Sequence, residues 1–205
     1  MKQTIILIIA LAVLIIGFSS IYIINEAEQA VVTQFGKPVG SAITEAGLHF
    51  KTPLIQTVIK FDKRILEWDG SANEIPTLDN KYIFIDAFAR WRISDALQFY
   101  KSAKNEMLAQ SRLDDILDGA VRDEIANRTM VEIIRSSERV MAIQDVESSS
   151  VNVNDEIIKD LAAKGARLTI IESILESVSK RLVNLNMGIE ILDVQLKRIN
   201  YTNQV

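Results

Sequence analysis

The chain opens with a long apolar run. Residues Ile5 to Ile24 include no charged side chain, and a helix of about twenty residues, rising about 1.5 Å per residue, spans the roughly 30 Å hydrocarbon core of a bilayer. A cleaved signal peptide is the alternative, but its apolar region normally runs about 7 to 15 residues and ends at a small-x-small site. Because the run continues past Ser19 and Ser20, the pattern favours an uncleaved transmembrane helix within residues 1–25.

The charges that flank the apolar run predict its orientation. Lys2 precedes the run, whereas Glu26 and Glu28 follow it. Since positively charged flanks are retained on the cytoplasmic side, the amino terminus should be cytoplasmic. This pattern predicts a single-pass protein whose body lies outside the inner leaflet, in a periplasmic or equivalent space.

Beyond the anchor the apolar period changes to two, which is typical of strands. Gln29 to Phe35 predicts a short strand that ends at the turn residue Gly36, and Gln56 to Lys63 predicts a second strand. The clearest alternation runs from Tyr82 to Ile93. Its first half is mostly apolar on both faces and should be central in a sheet, with its arginine end nearer solvent. One face of this strand carries Ile83, Ile85, Ala87, Ala89, Trp91 and Ile93.

From residue 94 the pattern becomes helical. Ser94 or Asp95 can cap a short helix through Tyr100, and Thr129 to Glu132 has the form of a capping box at the start of another helix. Between them the sequence predicts an amphipathic helix that packs on the sheet. Its apolar stripe consists of Leu113, Ile116, Leu117, Ala120, Val121 and Ile125.

A second long helix is predicted from about Leu168, after a Ser- and Asn-rich linker at residues 148–154 and a break at Gly165. We expect Gly188 to end this helix in the left-handed conformation, and residues 189–199 to return to the sheet as a strand. The apolar seam of the helix consists of Ile171, Leu175, Val178, Leu182 and Leu185.

These patterns divide the chain into four segments. Residues 1–25 form the anchor, residues 26–93 a strand-rich part, residues 94–200 a helical part with the returning strand, and residues 201–205 lead out of the domain. Because the strands precede the helices rather than alternate with them, the predicted fold class is α+β.

One stretch, residues 45–58, is rich in apolar side chains but shows neither a helical nor a strand period. An apolar patch rimmed by polar residues often marks a membrane contact, and side chains such as Lys51 can then reach the headgroups. A domain core is the alternative, since apolar clusters usually pack inside. The residues predicted to contact the membrane are Leu48, Phe50, Leu54 and Ile55.

Composition narrows the possible chemistry. The 205 residues are 48% hydrophobic and 24% charged, so the chain can form real cores, and its net charge of -4 makes nucleic acid a poor partner. With no cysteine and with His49 as its single histidine, the chain lacks the usual ligands for a thiolate or zinc site. No metal, cofactor or catalytic residue is therefore predicted.

Two polar patterns could carry chemistry but have simpler interpretations. Ser177 and Lys180 have the Ser-x-x-Lys spacing of some serine hydrolases. A membrane-tethered hydrolase that uses these two residues is therefore the alternative function. However, a match this short arises easily by chance, and both residues should lie on the polar side of their helix. The acidic cluster of Asp114, Asp115 and Asp118 is interpreted as a solvated helix face that could pair with a basic edge on a neighbouring subunit. A secreted binding domain with a cleaved signal remains a third possibility.

Five ordered segments, together with the N-terminal apolar run, resemble the SPFH or band 7 family of stomatins, prohibitins and flotillins. The segments are AVVTQFGK at 30–37, AGLHFKTPLI at 46–55, ARWRISD at 89–95, EIANRTMVEII at 124–134 and GIEILDVQLKRIN at 188–200.

This resemblance implies a scaffold without catalytic activity, anchored in the bacterial inner membrane. It further implies a hetero-oligomer in which an HflK-like subunit is the partner and an FtsH-type membrane protease is enclosed and modulated. Two departures from the family pattern stand out. Ala46 occupies a position where proline is usual, and residues 201–205 should begin a long coiled-coil stalk that the chain does not continue.

Overall fold

The computed structural model describes residues 2–134 and 166–201. The linker predicted at residues 148–154 and the break at Gly165 lie outside these residues. The described chain forms two compact units. The first consists of the residues up to Leu66 together with 91–110 and 182–190, and the second of the remaining described residues.

Helices and antiparallel strands combine in an order that fits the predicted α+β class. The helices are α1 (Lys2–Ser19), α2 (Ala96–Ser102), α3 (Glu106–Ala126), α4 (Met130–Ile134) and α5 (Ala166–Asn184). The strands are β1 (Ile21–Ile24), β2 (Glu28–Gln34), β3 (Lys37–Pro38), β4 (Gly47–Phe50), β5 (Gln56–Asp62), β6 (Leu66–Asp69), β7 (Asn73–Pro76), β8 (Tyr82–Ile93) and β9 (Ile189–Tyr201).

The N-terminal apolar run is divided between a helix and a strand. Helix α1 ends at Ser19, and the Ser20 hydroxyl donates to the Ile16 carbonyl at 2.9 Å. The prediction of one helix through Ile24 is therefore wrong for its last turn, because the β-branched residues there favour an extended backbone and pair with a strand distant in sequence. Among the described helices, we find none that combines the length and the apolar character needed to cross a membrane.

Strand β1 pairs with β4 in a two-stranded antiparallel ribbon. In its register Ile21 faces Phe50 and Ile24 faces Gly47. Part of the stretch that showed no strand period is thus a strand. Its four residues are too few to display an alternation, and its partner lies more than twenty positions earlier in the sequence.

Strands β3, β2 and β5 form the second sheet of the first unit. The β2–β5 ladder runs antiparallel from Glu28 opposite Asp62 to Gln34 opposite Gln56. Both strands agree with their predicted positions to within one residue at each end. The buried core of this unit includes Ile24, Ala30, Val31, Phe61, Trp91, Ile93, Phe99, Leu182 and Met187.

Strand β8 is the centre of the four-stranded sheet: β6 and β7 pair with it, and so does the returning strand β9. The predicted inner face of β8 is buried at all six of its positions, from Ile83 to Ile93. The other face is more open than expected, because Tyr82 and Phe84 are exposed to solvent. The long alternation therefore predicts the buried face of this strand correctly, but it does not predict that Tyr82 and Phe84 on the outer face are exposed.

The predicted cap of α2 is present, and so is the glutamate half of the capping box predicted before α4. The Asp95 carboxylate accepts hydrogen bonds from the amides of Leu97 and Gln98, at 2.8 and 3.1 Å, at the start of α2. Before α4 the Glu132 carboxylate accepts from the Thr129 amide at 3.0 Å. Each carboxylate satisfies amides that have no partner within the helix.

Helix α5 differs from its prediction in two respects. Its buried seam is Ile170, Ile174, Val178 and Leu182, whereas Ile171 and Leu175 are half-buried and Leu185 is exposed. The predicted seam was therefore displaced by one position along the first turns.

The residue that ends α5 is Asn186 rather than Gly188. Asn186 has a φ of 49°, its amide donates to the Val183 carbonyl, and the Met187 amide donates to the Leu182 carbonyl. These two bonds form the Schellman arrangement. Gly188 also has a positive φ, of 67°, but lies beyond the cap.

An exposed carboxylate joins the β7–β8 turn to the start of α4. Asp79 accepts hydrogen bonds from the Thr77 hydroxyl at 2.7 Å and from the Met130 amide at 3.1 Å. These bonds, first the one from Thr77, lower the pKa of Asp79 from its ordinary 3.8 to about 2.

This depressed pKa predicts a pH dependence of stability. Because Asp79 binds its proton more weakly in the folded chain, its contribution is present above the ordinary pKa and is lost as the pH falls from about 4 to about 2. Replacing Asp79 by asparagine should make the unfolding free energy less sensitive to pH in this window, measured by denaturant unfolding. Equal sensitivity of the two proteins would contradict the assignment.

Candidate functional site

The four residues predicted to contact a membrane are exposed at one region of the first unit. Leu54 is 98% exposed and Phe50 is 72% exposed, and Leu48 and Ile55 are also open to solvent. The core alternative is therefore wrong for these side chains. Contact with a bilayer remains a prediction for them.

The β1–β4 ribbon places apolar side chains on a single face. Because side chains alternate across a strand, the register groups Ile21 and Ile23 of β1 with Leu48 and Phe50 of β4 on that face, and all four are exposed. The ribbon follows α1 after Ser20 alone, and the Lys51 amide donates to the Ser20 carbonyl at 2.8 Å. An apolar face is thus attached directly to an apolar helix.

His49 lies on the other face of the ribbon. Its ring stacks on Tyr22 with centroids 5.7 Å apart, and its Nε2 lies 2.9 Å from the Glu45 carbonyl oxygen. These contacts give His49 a structural role within the ribbon. Among the described residues, no three His, Cys, Asp or Glu side chains come together as a metal ion would require.

The structure adds an exposed aromatic residue that the sequence pattern did not single out. Phe35 occupies the two-residue turn between β2 and β3 and is 83% exposed. Since Gln34 faces Gln56, this turn lies at the same end of the ladder as the loop that carries Leu54 and Ile55. A large apolar side chain at a turn position that usually holds Asn or Asp was the signal available in the sequence.

The opposite end of the β2–β5 ladder is charged. Lys60 pairs with Glu28 at 2.8 Å, and Arg64 pairs with Asp62 at 2.7 Å. The hydrogen bond from Lys60 lowers the pKa of Glu28, and the hydrogen bond from Arg64 lowers that of Asp62. This sheet therefore has ion pairs at one end, and exposed apolar side chains lie at the other.

Ser177 and Lys180 are not arranged as a nucleophile and its base. The Lys180 ammonium is bound to the Glu176 carboxylate at 2.6 Å in an exposed pair. Lys180 also lowers the pKa of Glu176, through a hydrogen bond and its charge. A general base must instead lie within hydrogen-bond reach of the hydroxyl that it activates.

The acidic cluster on α3 is less solvated than predicted. Asp114 accepts a hydrogen bond from the indole nitrogen of Trp68 at 2.5 Å, so it is tied to a buried side chain. Burial, and then the neighbouring charge of Asp114, raise the pKa of Asp118. Asp115 is exposed, whereas Asp114 and Asp118 are half-buried, so of these three residues the prediction of a solvated helix face holds for Asp115 alone.

Comparison with known proteins finds relatives that share one name. The chain is 36% identical over 189 residues to "Protein HflC" of Borreliella burgdorferi, an alignment that covers 90% of this chain and 56% of that protein. It is 32% identical over 190 residues to "Protein HflC" of Treponema pallidum, covering 90% and 57%. It is 28% identical over 225 residues to "Modulator of FtsH protease HflC" of Escherichia coli K12, covering 100% and 66%.

The chain thus spans less than two thirds of the length of each of these relatives. A comparison with protein families gives a match from residue 22 to residue 205, which begins within β1 and covers the strands and helices that follow it. On this match the chain belongs to the SPFH domain / Band 7 family.

Proposed function

We propose that this chain is a membrane-anchored scaffold subunit that modulates a membrane protease and carries out no catalysis of its own. It would assemble with an HflK-like partner into a hetero-oligomer that encloses an FtsH-type protease. The observation that carries the proposal is the family match over residues 22–205, together with relatives one of which is named a modulator of FtsH protease.

The proposed location is the bacterial inner membrane. Helix α1 is the candidate anchor, since the large apolar side chains whose burial the structure describes between Ile5 and Phe18 are exposed, and Glu26 is the first acidic residue after it. Its 18 residues correspond to about 27 Å of rise, so insertion would require local thinning of the bilayer. With Lys2 on the cytoplasmic side, the body from residue 26 onward would be periplasmic.

The proposed contact between body and bilayer is the exposed apolar face of the ribbon with the loop that follows it. Leu48, Phe50, Leu54 and Ile55 would rest at the headgroup boundary. Their exposure supports this role, because an apolar patch of this kind is costly to leave in water. Their attachment to α1 through Ser20 would keep them near the membrane surface.

Cross-linking in native membranes tests the scaffold function. A photoreactive residue placed at an exposed site such as Met107 should capture a related SPFH chain or an FtsH-type protease. The same residue at the buried Trp91 is the matched control and should capture neither. Repeated failure to capture either partner from exposed sites would contradict the proposal.

Cysteine labelling of the full chain tests the membrane contact. The chain has no native cysteine, so Leu54→Cys can carry a single fluorescent probe. In vesicles containing brominated lipid, we expect this probe to lose emission, because bromine quenches only probes at the acyl boundary. A probe at Met107→Cys, which is 82% exposed and lies beside the charged end of the sheet, should keep its emission. Equal emission from the probes at positions 54 and 107 would contradict the proposed membrane contact.

A further inference from the structure

Two exposed apolar residues of the first unit have left-handed backbone conformations. Phe35 has a φ of 49° and Leu54 a φ of 69°. Side chains with a Cβ are disfavoured there, and bulky apolar residues are genuine outliers. Since both side chains are almost fully exposed, burial in the fold does not offset this strain. Strained, exposed positions of this kind cluster at functional sites.

We propose that Phe35 is a second membrane-insertion point, which enters an anionic bilayer beside Leu54. This inference rests on the proposed membrane contact and extends it to the β2–β3 turn. It also assigns the lipid chemistry, because two lysines flank the inserted side chains.

The strand register brings the two residues to one end of the β2–β5 ladder. Phe35 directly follows Gln34, and Leu54 lies two residues before Gln56, which faces Gln34. The intervening loop begins at Lys51, whose amide is bound to Ser20 at the end of α1. Both apolar tips therefore lie near the point where the apolar helix joins the body.

Both tips are held in place by hydrogen bonds. The Tyr100 hydroxyl donates to the Gly36 carbonyl at 3.2 Å and fixes the β2–β3 turn against α2. In the other loop the Gln56 side chain accepts from the Thr52 amide at 2.7 Å. Insertion of such tips needs no ordering of a flexible segment, and this lowers the entropic cost of binding.

The charged side chains beside these two apolar tips are lysines. Lys37 follows the turn directly and Lys51 follows Phe50. Neither forms a salt bridge with a described residue, and Glu45, the nearest acidic residue in sequence, lies before the far end of the ribbon. Free ammonium groups beside apolar tips favour a surface of anionic headgroups. A protein partner is a poorer fit, because the apolar face of the ribbon, which ends just before Lys51, is joined through Ser20 alone to the apolar helix α1.

The test uses full-length chains with a single labelled cysteine at position 35, 54 or 60. Each is reconstituted into vesicles of equal amounts of phosphatidylcholine and phosphatidylglycerol that contain brominated lipid. We expect probes at Phe35→Cys and Leu54→Cys to lose emission, while Lys60→Cys, at the charged end of the same sheet, keeps it.

The outcomes separate this inference from the proposed function. Loss at position 54 with full emission at position 35 overturns the inference and leaves the membrane contact standing. Full emission at both positions overturns both. A probe at position 35 that is shielded only in native membranes containing other proteins identifies a protein partner and also overturns the inference.

Two further variants test the charge and the strain. In the Lys37→Gln/Lys51→Gln variant, quenching of the probe at position 35 should be no stronger than in vesicles of phosphatidylcholine alone. Added salt should weaken quenching in the parent chain in the same way, since the Debye length falls from about 10 Å at 0.1 M to about 3 Å at 1 M. No change would overturn the anionic preference. Phe35→Asn should raise the midpoint of denaturant unfolding, because asparagine tolerates the left-handed region. A lower midpoint would make Phe35 a structural residue and overturn its role.

Discussion

Replacing Trp68 by alanine should lower the free energy of unfolding by about 3 to 5 kcal/mol, the range for large aromatic truncations in a core. Trp68 is fully buried, and its indole nitrogen donates to Asp114 at 2.5 Å. The substitution leaves a cavity and removes the donor to a partly buried carboxylate, and each change is destabilising. Denaturant unfolding followed by circular dichroism measures the loss.

A matched variant separates these two causes. Trp68→Phe retains most of the apolar volume but loses the hydrogen bond, so it should cost about 1.5 to 3 kcal/mol, the range for a bond to a charged group. An alanine variant no less stable than the phenylalanine variant would show that packing at Trp68 contributes little.

Replacing Gly188 by alanine should cost about 2 to 5 kcal/mol in unfolding free energy, the sum of a conformational and a packing contribution. The left-handed conformation at φ 67° disfavours a side chain by about 1 to 2 kcal/mol. The added Cβ would also lie 2.7 Å from the Phe99 amide nitrogen and closer still to the Asp95 carbonyl oxygen, so overpacking adds about 1 to 3 kcal/mol. Both neighbours are backbone atoms of the capped start of α2, which cannot rotate away.

Gly40→Ala is the control for this prediction. Gly40 has a φ of 79°, but an added Cβ would meet nothing within 4 Å. Its substitution should therefore show the conformational cost alone, about 1 to 2 kcal/mol. If both alanine variants unfold at the same denaturant concentration, the close approach of Gly188 to α2 is not important for stability.

The sequence predicted elements whose pattern is long and local. Strand β8 alternates over twelve residues and was placed at its observed bounds, from Tyr82 to Ile93. Asp95 was recognised as a cap because a carboxylate before an apolar helical stripe has a specific local role. In both cases the information lies within a few residues of the element itself.

Elements that depend on distant partners were predicted less well. Residues 21–24 continue an apolar run and were assigned to the helix, although pairing with β4 makes them a strand. Asn186 rather than Gly188 ends α5, because the hydrogen bonds of the cap form at Asn186 and Met187. Gly188 has a different role, which is to allow the backbone to approach α2 closely. A composition rule that favours glycine at a helix end cannot separate these roles.

The candidate site was predicted in part for the same reason. Leu48, Phe50, Leu54 and Ile55 are crowded enough in sequence to be recognised as a group, and all four are exposed. Phe35 lies thirteen positions before Leu48 and joins the group only through the register of β2 and β5. Its positive φ, which marks it as unusual, is a property of the folded chain.

A single residue, Ser20, separates α1 from the first strand of the body. So short a joint leaves few rotatable bonds, and the bond from Lys51 to the Ser20 carbonyl restricts them further. With α1 as the proposed anchor, two copies diffusing in one membrane would meet upright and already oriented. Association would then sacrifice less rotational freedom than it does between freely tumbling proteins, so a weak lateral contact could be enough to build a large assembly.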